Sequence, residues 1–333
     1  HSLKVNVPDR TDKWFQPRGK QVSQPEGIWY TAVTGIWQTV WMEPVPASHI
    51  DSYYAVADID EGTLAVTVDA ALEDGDVVEV VLLADGAPVA KAEGREVTLA
   101  VPEMRLWSPS DPYLYDLEIK VLRDGEAVDA VKGYTAMRKI SYAADKDGHK
   151  RMLLNNEPLF QYGPLDQGWW PDGLYTAPSD EALAFDIEKT KEMGFNMIRK
   201  HVKVEPSRWY WHCDRLGMLV WQDMPSIADN STNVWDNRTY ENGTDTPVPD
   251  DAKANYYKEW GEIMSAFKVF PCIVTWVPFN EAWGQFDTEE VVKFTRAQDP
   301  TRLINYASRG NFVKCSGDIL DLQINLNLCA ICN

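Results

Sequence analysis

The sequence predicts a multidomain chain in which the tail of a β-domain leads into an immunoglobulin-like β-sandwich and then an incomplete (β/α)8 TIM barrel. Three observations carry this. Residues 47–142 alternate apolar and polar side chains in short runs broken by Asp-Gly pairs. From residue 143 onward, strand-like runs alternate with helical patterns, the mark of a parallel sheet with helices packed outside. One of those runs, Ile273 to Phe279, ends on Asn280-Glu281, where a barrel strand would open into an active-site mouth.

Residues 1–46 are rich in Trp, Pro and Gly, and Gly27 to Pro44 reads as a loop feeding a strand. The segment is too short to bury a core of its own, since domains below about 40 residues usually need staples. In 47–142, Leu64, Val66 and Val68 alternate with polar neighbours, as do Val78, Val80 and Leu82. Asp74-Gly75, Asp85-Gly86 and Asp124-Gly125 supply the positive φ that tight hairpins require. Such spacing suits a sandwich. In 143–333, the strand patterns are Pro158 to Gly163, Phe195 to Lys200, Met218 to Asp223, Ile273 to Phe279 and Arg302 to Ala307, with Asp318 to Gln323 a sixth. Helical patterns lie between them at Ser179 to Met193, Pro206 to Leu216, Asp251 to Lys268 and Thr288 to Gln298. A complete barrel takes about 250 residues, so one beginning near Ala143 is not expected to close within this chain.

Composition narrows the function classes. The net charge of -19 excludes the basic footprint that nucleic acid requires. No apolar run approaches the roughly 20 residues of a membrane helix. The chain opens on His1-Ser2-Leu3 with no leader pattern, so the compartment is not readable. The five cysteines are poor support for metal or redox chemistry: Cys213 and Cys272 sit in apolar patterns, and Cys329-Ala-Ile-Cys332 stands without a second pair. Sequons at Asn230, Asn237 and Asn242 crowd one polar stretch. No cofactor is expected; a divalent cation is conceivable but nothing indicates one.

Glu281 stands apart among the 51 acids because it ends a strand pattern. Asp180, Glu181, Asp186 and Glu188, by contrast, read as the solvated face of a helix. A carboxyl at a barrel mouth, beside an amide able to bond a sugar hydroxyl and near Trp276 and Trp283, suits acid catalysis on a glycosidic oxygen. The other readings of Glu281 are a structural carboxylate paired to Arg199 and a metal ligand. His201 and Asp223 follow the second and third strands, where side chains face the mouth; the alternatives are a core or helix-capping histidine for His201 and pairing with a neighbouring Arg for Asp223. Asp166, Trp169 and Trp170 follow the first strand and read either as floor and wall of a sugar pocket or as a packed loop.

Several blocks together resemble glycoside hydrolase family 2, the β-galactosidase, β-glucuronidase and β-mannosidase group. Phe270-Pro-Cys-Ile-Val-Thr-Trp-Val-Pro-Phe-Asn-Glu281 is similar to its acid/base signature. Gly194 to Pro206 and Trp209 to Pro225 resemble its second and third barrel strands, Leu106 to Tyr115 the end of its sandwich domain, and Gly27 to Pro44 the end of its sugar-binding jelly roll. The resemblance covers most of the chain up to about Asp321, after which Leu322 to Asn333 departs from it. It divides the chain into a jelly-roll remnant (1–46), a sandwich (47–142) and a partial barrel (143–333). It implies a retaining β-glycosidase with Glu281 as general acid then base and Asn280 on the substrate 2-hydroxyl. His201, Asp223, Asp166, Trp169 and Trp276 would be substrate-binding. No residue matches the family's nucleophile, so the chain is expected to be a fragment inactive alone. A carbohydrate substrate and a full-length parent able to oligomerise are further implications. The alternative is a non-catalytic carbohydrate-binding or interaction module.

Overall fold

The computed structural model describes residues 2–227, 243–308 and 313–320. Residues 2–46 run mostly without regular structure, apart from a short parallel pair, β1 (Gln21–Val22) and β2 (Tyr30–Thr31). The predicted sequons and the Cys329–Cys332 pair lie outside the described residues.

Seven antiparallel strands form the sandwich: β3 (His49–Asp58), β4 (Thr63–Ala71), β5 (Val77–Ala84), β6 (Ala87–Glu93), β7 (Glu96–Ala100), β8 (Tyr115–Arg123) and β9 (Glu126–Thr135). They make two sheets, β3-β4-β7 and β6-β5-β8-β9. The alternation seen in the sequence is the burial pattern: Leu64, Val66 and Val68 from one sheet meet Val80, Leu82, Leu117 and Ile119 from the other in a single core. Asp85 and Asp124 adopt positive φ with the glycines that follow them, closing the β5–β6 and β8–β9 hairpins. A small sheet of β10 (Ile140–Ala144), β11 (Lys150–Leu154) and β12 (Glu157–Pro158) leads onward.

The barrel portion is a five-stranded parallel sheet in chain order: β13 (Leu165–Asp166), β14 (Met197–Lys200), β15 (Leu219–Asp223), β16 (Ile273–Val277) and β17 (Leu303–Ile304). An isolated parallel bridge, Asn305 to Ile319, follows β17. Four helices connect the strands: α1 (Asp180–Glu192), α2 (Ser207–Leu216), α3 (Asp250–Phe267) and α4 (Thr288–Gln298). Ser179 caps α1 by accepting from the Ala182 N–H, and two acids occupy its first turn. Gly217 ends α2 at φ 71° and lies so close to the Pro109 carbonyl that a Cβ would meet it at 2.8 Å.

The first barrel strand differs from the sequence expectation. Pro158 to Gly163 was to be that strand, but Pro158 closes the small sheet and the strand is Leu165–Asp166. Phe160 and Tyr162 are exposed, and Gly163 crosses the Met197 carbonyl where a Cβ would sit 1.5 Å away. The Tyr162 N–H bonds the Asn196 side chain, not a neighbouring strand. A crossing this close, bounded by prolines that lack a donor, cannot hold a ladder.

Sandwich and barrel are joined by buried polar contacts. Trp107 donates its indole N–H to the Asp214 carbonyl at 2.8 Å, and the Tyr134 hydroxyl donates to the Asp214 carboxylate at 2.7 Å. Arg138 donates to the Pro271 and Ile273 carbonyls at the start of β16. These bonds fix the barrel sheet against the sandwich, with the strand exits turned away from it toward residues 17–30.

Candidate active site

Arg199 is the hub of the barrel mouth. It projects from β14 and donates twice to Asp223 at the end of β15 (2.9 and 2.8 Å), once to the Asn280 side-chain oxygen beyond β16 (2.8 Å), and to the Ser308 hydroxyl beyond β17. One planar guanidinium therefore sets the spacing of four adjacent strand ends.

Asp223 is completely buried and also accepts from the His201 ring (3.0 Å) and the Val202 N–H (3.2 Å). Burial opposes its charge, but Arg199 and His201 outweigh that and hold its carboxyl below the usual carboxylate range. An ionised carboxylate only accepts, so the His201 Nδ1 carries the hydrogen of that bond. The sequence offered Asp223 two roles, gripping sugar or pairing an Arg; its oxygens are engaged in the second.

Asn280 is buried, and with its oxygen on Arg199 it keeps Nδ2 as a donor with no hydrogen bond among the described residues. The turn after it is strained. Glu281 and Ala282 have φ of 53° and 64°, left-handed values that cost a non-glycine residue about 1–2 kcal/mol each. The Glu281 N–H bonds the Ala307 and Ser308 carbonyls, which pins that conformation to the β17 exit. Val202 and Ser308 also have positive φ, so the exits of β14, β16 and β17 carry left-handed residues around Arg199. Gly284 completes the turn against the Ile227 carbonyl, where a Cβ would lie 1.5 Å away. Arg199 hydrogen-bonds Asp223, Asn280 and Ser308 but none of these bonds is to Glu281, whose carboxyl is half-buried at the same mouth.

A second charged group underlies the β13 side. Lys200 donates to Asp166 (2.7 Å) and Glu205 (2.9 Å), and Lys203 pairs Glu205 at 2.9 Å. Burial disfavours the Lys200 charge, yet the two carboxylates raise its pKa above normal, and Lys200 in turn keeps Asp166 low against its own burial. Asp166 is therefore held from below, and its carbonyl accepts the His201 N–H. Trp169 stacks on Tyr30 with centroids 4.7 Å apart and meets Tyr175 edge-on.

Trp276 corrects the sequence reading. It is fully buried, points to the helix side, meets Trp260 edge-on and donates to Asp299 at 2.9 Å. On a strand, neighbours alternate faces, so Thr275 and Val277 face inward and Trp276 outward; no sugar can stack on it.

The sequence reading missed the contribution of residues 17–30. Arg18 and Gly19 donate to the Ser226 carbonyl, and Gly19 presses on Val202 so closely that a Cβ would be 2.2 Å from its oxygen. Lys20 is thereby brought among Glu281, Arg199 and Asp223, and Trp29 meets Trp283 edge-on at 4.7 Å. The run Pro17-Arg-Gly-Lys20 held the only available signal, a glycine between two cations. Among the described residues no group of three or more His, Cys, Asp or Glu is arranged to hold a metal ion.

Two family models match the chain: the TIM barrel domain of glycosyl hydrolases family 2 over residues 150–327, and glycosyl hydrolases family 2 over residues 48–138. The first match runs past Asp321, where the resemblance was expected to stop. Among curated relatives, a β-galactosidase of Thermoanaerobacter pseudethanolicus is 23% identical, matching 86% of this chain and 37% of its own length. A β-glucuronidase of Sus scrofa is 22% identical over 92% of the chain and 47% of its own length. The chain thus spans less than half the length of these relatives. Solved β-glucuronidases share the fold: that of Ruminococcus gnavus at TM-score 0.67 (20% identity, 81% of this chain, 46% of that one), and that of Dictyoglomus thermophilum at 0.65 (22%, 78% and 44%).

Proposed function

Because the chain belongs to glycosyl hydrolase family 2, we propose that its barrel mouth is the acid/base half of a retaining β-glycosidase site. Glu281 protonates the leaving oxygen as the glycosidic bond breaks, then deprotonates the water that releases the sugar. Asn280, its oxygen fixed by Arg199, donates Nδ2 to the substrate 2-hydroxyl, a bond that strengthens as charge develops at the anomeric carbon. Arg199, Asp223 and His201 position these groups, and Trp169 with Asp166 lines the first-strand side. The observation that carries this reading is the held turn at the β16 exit, left-handed at Glu281 and Ala282 and stabilised in that costly conformation by two carbonyls of the next strand exit.

The nucleophile, which in a retaining enzyme lies about 5–5.5 Å from the acid, is proposed to come from outside this chain. In support, the other mouth-side carboxylates described, Asp166, Asp223 and Glu205, are each bonded to Arg or Lys. Alone, the chain should then bind β-glycosides without hydrolysing them. An exogenous nucleophile supplies the test. With 2,4-dinitrophenyl β-galactoside and molar azide, the chain should release dinitrophenol and form α-galactosyl azide. This activity should be lost on exchanging the leaving group for a poorer one in the Glu281→Gln variant. Formation of the β-azide would mean that a carboxylate of this chain is itself the nucleophile, and would overturn its proposed absence. Sugar binding with no azide-dependent turnover on any β-galactoside, β-glucuronide or β-mannoside would favour the binding-module reading.

A further inference from the structure

We propose that Lys20 is a specificity-determining residue that binds an anionic substituent, a carboxylate or a sulfate ester, on the glycoside held at Glu281; the inference rests on the reading just given and adds a substrate class to it.

Lys20 belongs to the segment that caps the mouth from outside the barrel. Three contacts seat that segment: the Arg18 and Gly19 N–H groups on the Ser226 carbonyl, Gly19 against Val202, and Trp29 against Trp283. Only glycine fits at position 19, because φ is 57° and a Cβ would strike the Val202 oxygen. The segment is therefore docked in one register, and the next residue is set above the strand exits.

The side chain set there is 9% exposed, and its ammonium forms no hydrogen bond or ion pair among the described residues. Every other strongly buried lysine of the mouth is satisfied: Lys200 by Asp166 and Glu205, Lys203 by Glu205 and the Gly168 and Tyr175 carbonyls. A buried ammonium without a partner is costly and is ordinarily compensated by an acceptor. Its nearest acids do not serve. Asp223 is occupied by Arg199, His201 and the Val202 N–H, and Glu281 acts on Lys20 through space and not through a bond within reach. Burial lowers the Lys20 pKa and Glu281 partly restores it, consistent with a cation that awaits a closer anion. A substrate carboxylate or sulfate oxygen would supply the missing acceptor as a charge-assisted bond.

Calorimetric titration of the chain with four probes tests this: methyl β-galactoside, methyl β-galacturonide, methyl β-galactoside 6-sulfate and 4-carboxyphenyl β-galactoside. The last places the anion on the leaving-group side. At least one anionic probe should bind 10-fold or more tightly than the neutral one, as expected of a hydrogen bond to a charged group. Lys20→Met should bring that probe to the neutral affinity, and Lys20→Arg should restore most of the preference. The wild-type comparison needs no variant, so a poorly folded substitution does not spoil it. Affinities within twofold across all probes, or a preference that survives Lys20→Met, would overturn the inference while leaving the glycoside reading intact. No binding by any probe would overturn both.

Discussion

Replacing Asp214 by Asn should raise stability at pH 8 and leave it unchanged at pH 4. Asp214 is fully buried where α2 meets the sandwich, accepting from the Tyr134 hydroxyl (2.7 Å) and the Cys272 N–H (2.6 Å). Burial pushes its pKa from 3.8 up to about 7, against the pull of those two donors. Between these values the folded chain keeps a proton that the unfolded chain has lost. Stability therefore falls as pH rises through that window, by about 1.4 kcal/mol per unit and about 4 kcal/mol in all, and levels off above pH 7. Asn presents the neutral form permanently: its oxygen keeps the Cys272 N–H and its amide faces the Tyr134 oxygen. Other titrating groups act equally in both proteins, so the difference curve isolates Asp214. Urea unfolding followed by tryptophan fluorescence at pH 4, 5, 6, 7 and 8 measures it. Parallel curves, or an Asn variant less stable at pH 8, would refute the reasoning.

Arg199→Met should destabilise by about 3 kcal/mol in urea, because it removes the two-bonded guanidinium from a carboxylate that stays buried on His201 and Val202 alone; adding Asp223→Asn should recover part of the loss. Gly19→Ala should undock the N-terminal segment, weakening glycoside binding at least 10-fold in calorimetry while the near-UV signal of the barrel core persists. Ala282→Gly, at φ 64°, should raise the melting temperature, with a gain of about 1 kcal/mol. Trp276→Phe should cost about 1–3 kcal/mol through loss of the buried bond to Asp299, with glycoside affinity unchanged because the ring faces the helices.

Periodic features were legible in the sequence to within a residue or two. The helix expected at Thr288 to Gln298 occupies those residues, and the alternation around Leu64 and Val80 is the sandwich core. Position along the chain also brought Asn280, Glu281, His201 and Asp223 to one mouth, because parallel strands deliver their ends to one side. Orientation within a strand was harder. Trp276 lies four residues from Asn280, a spacing that shares a face on an unbroken strand, but β16 ends at Val277 and the alternation does not continue to Asn280. Pro158 to Gly163 has strand composition, but its path is set by the close approach of Gly163 to Met197, a tertiary constraint. Lys20 was illegible for the same reason: its place depends on Ser226 and Val202, some two hundred residues away in sequence.

A crystal structure of the chain with a thio-linked β-galactoside, which cannot be cleaved, would test the central assignment most directly. The bridging sulfur should lie within about 3.5 Å of a Glu281 carboxylate oxygen, and the sugar 2-hydroxyl within about 3.2 Å of the Asn280 side-chain nitrogen. A sugar seated in the mouth with its 2-hydroxyl on another residue, or with Glu281 turned away from the bridging atom, would contradict it.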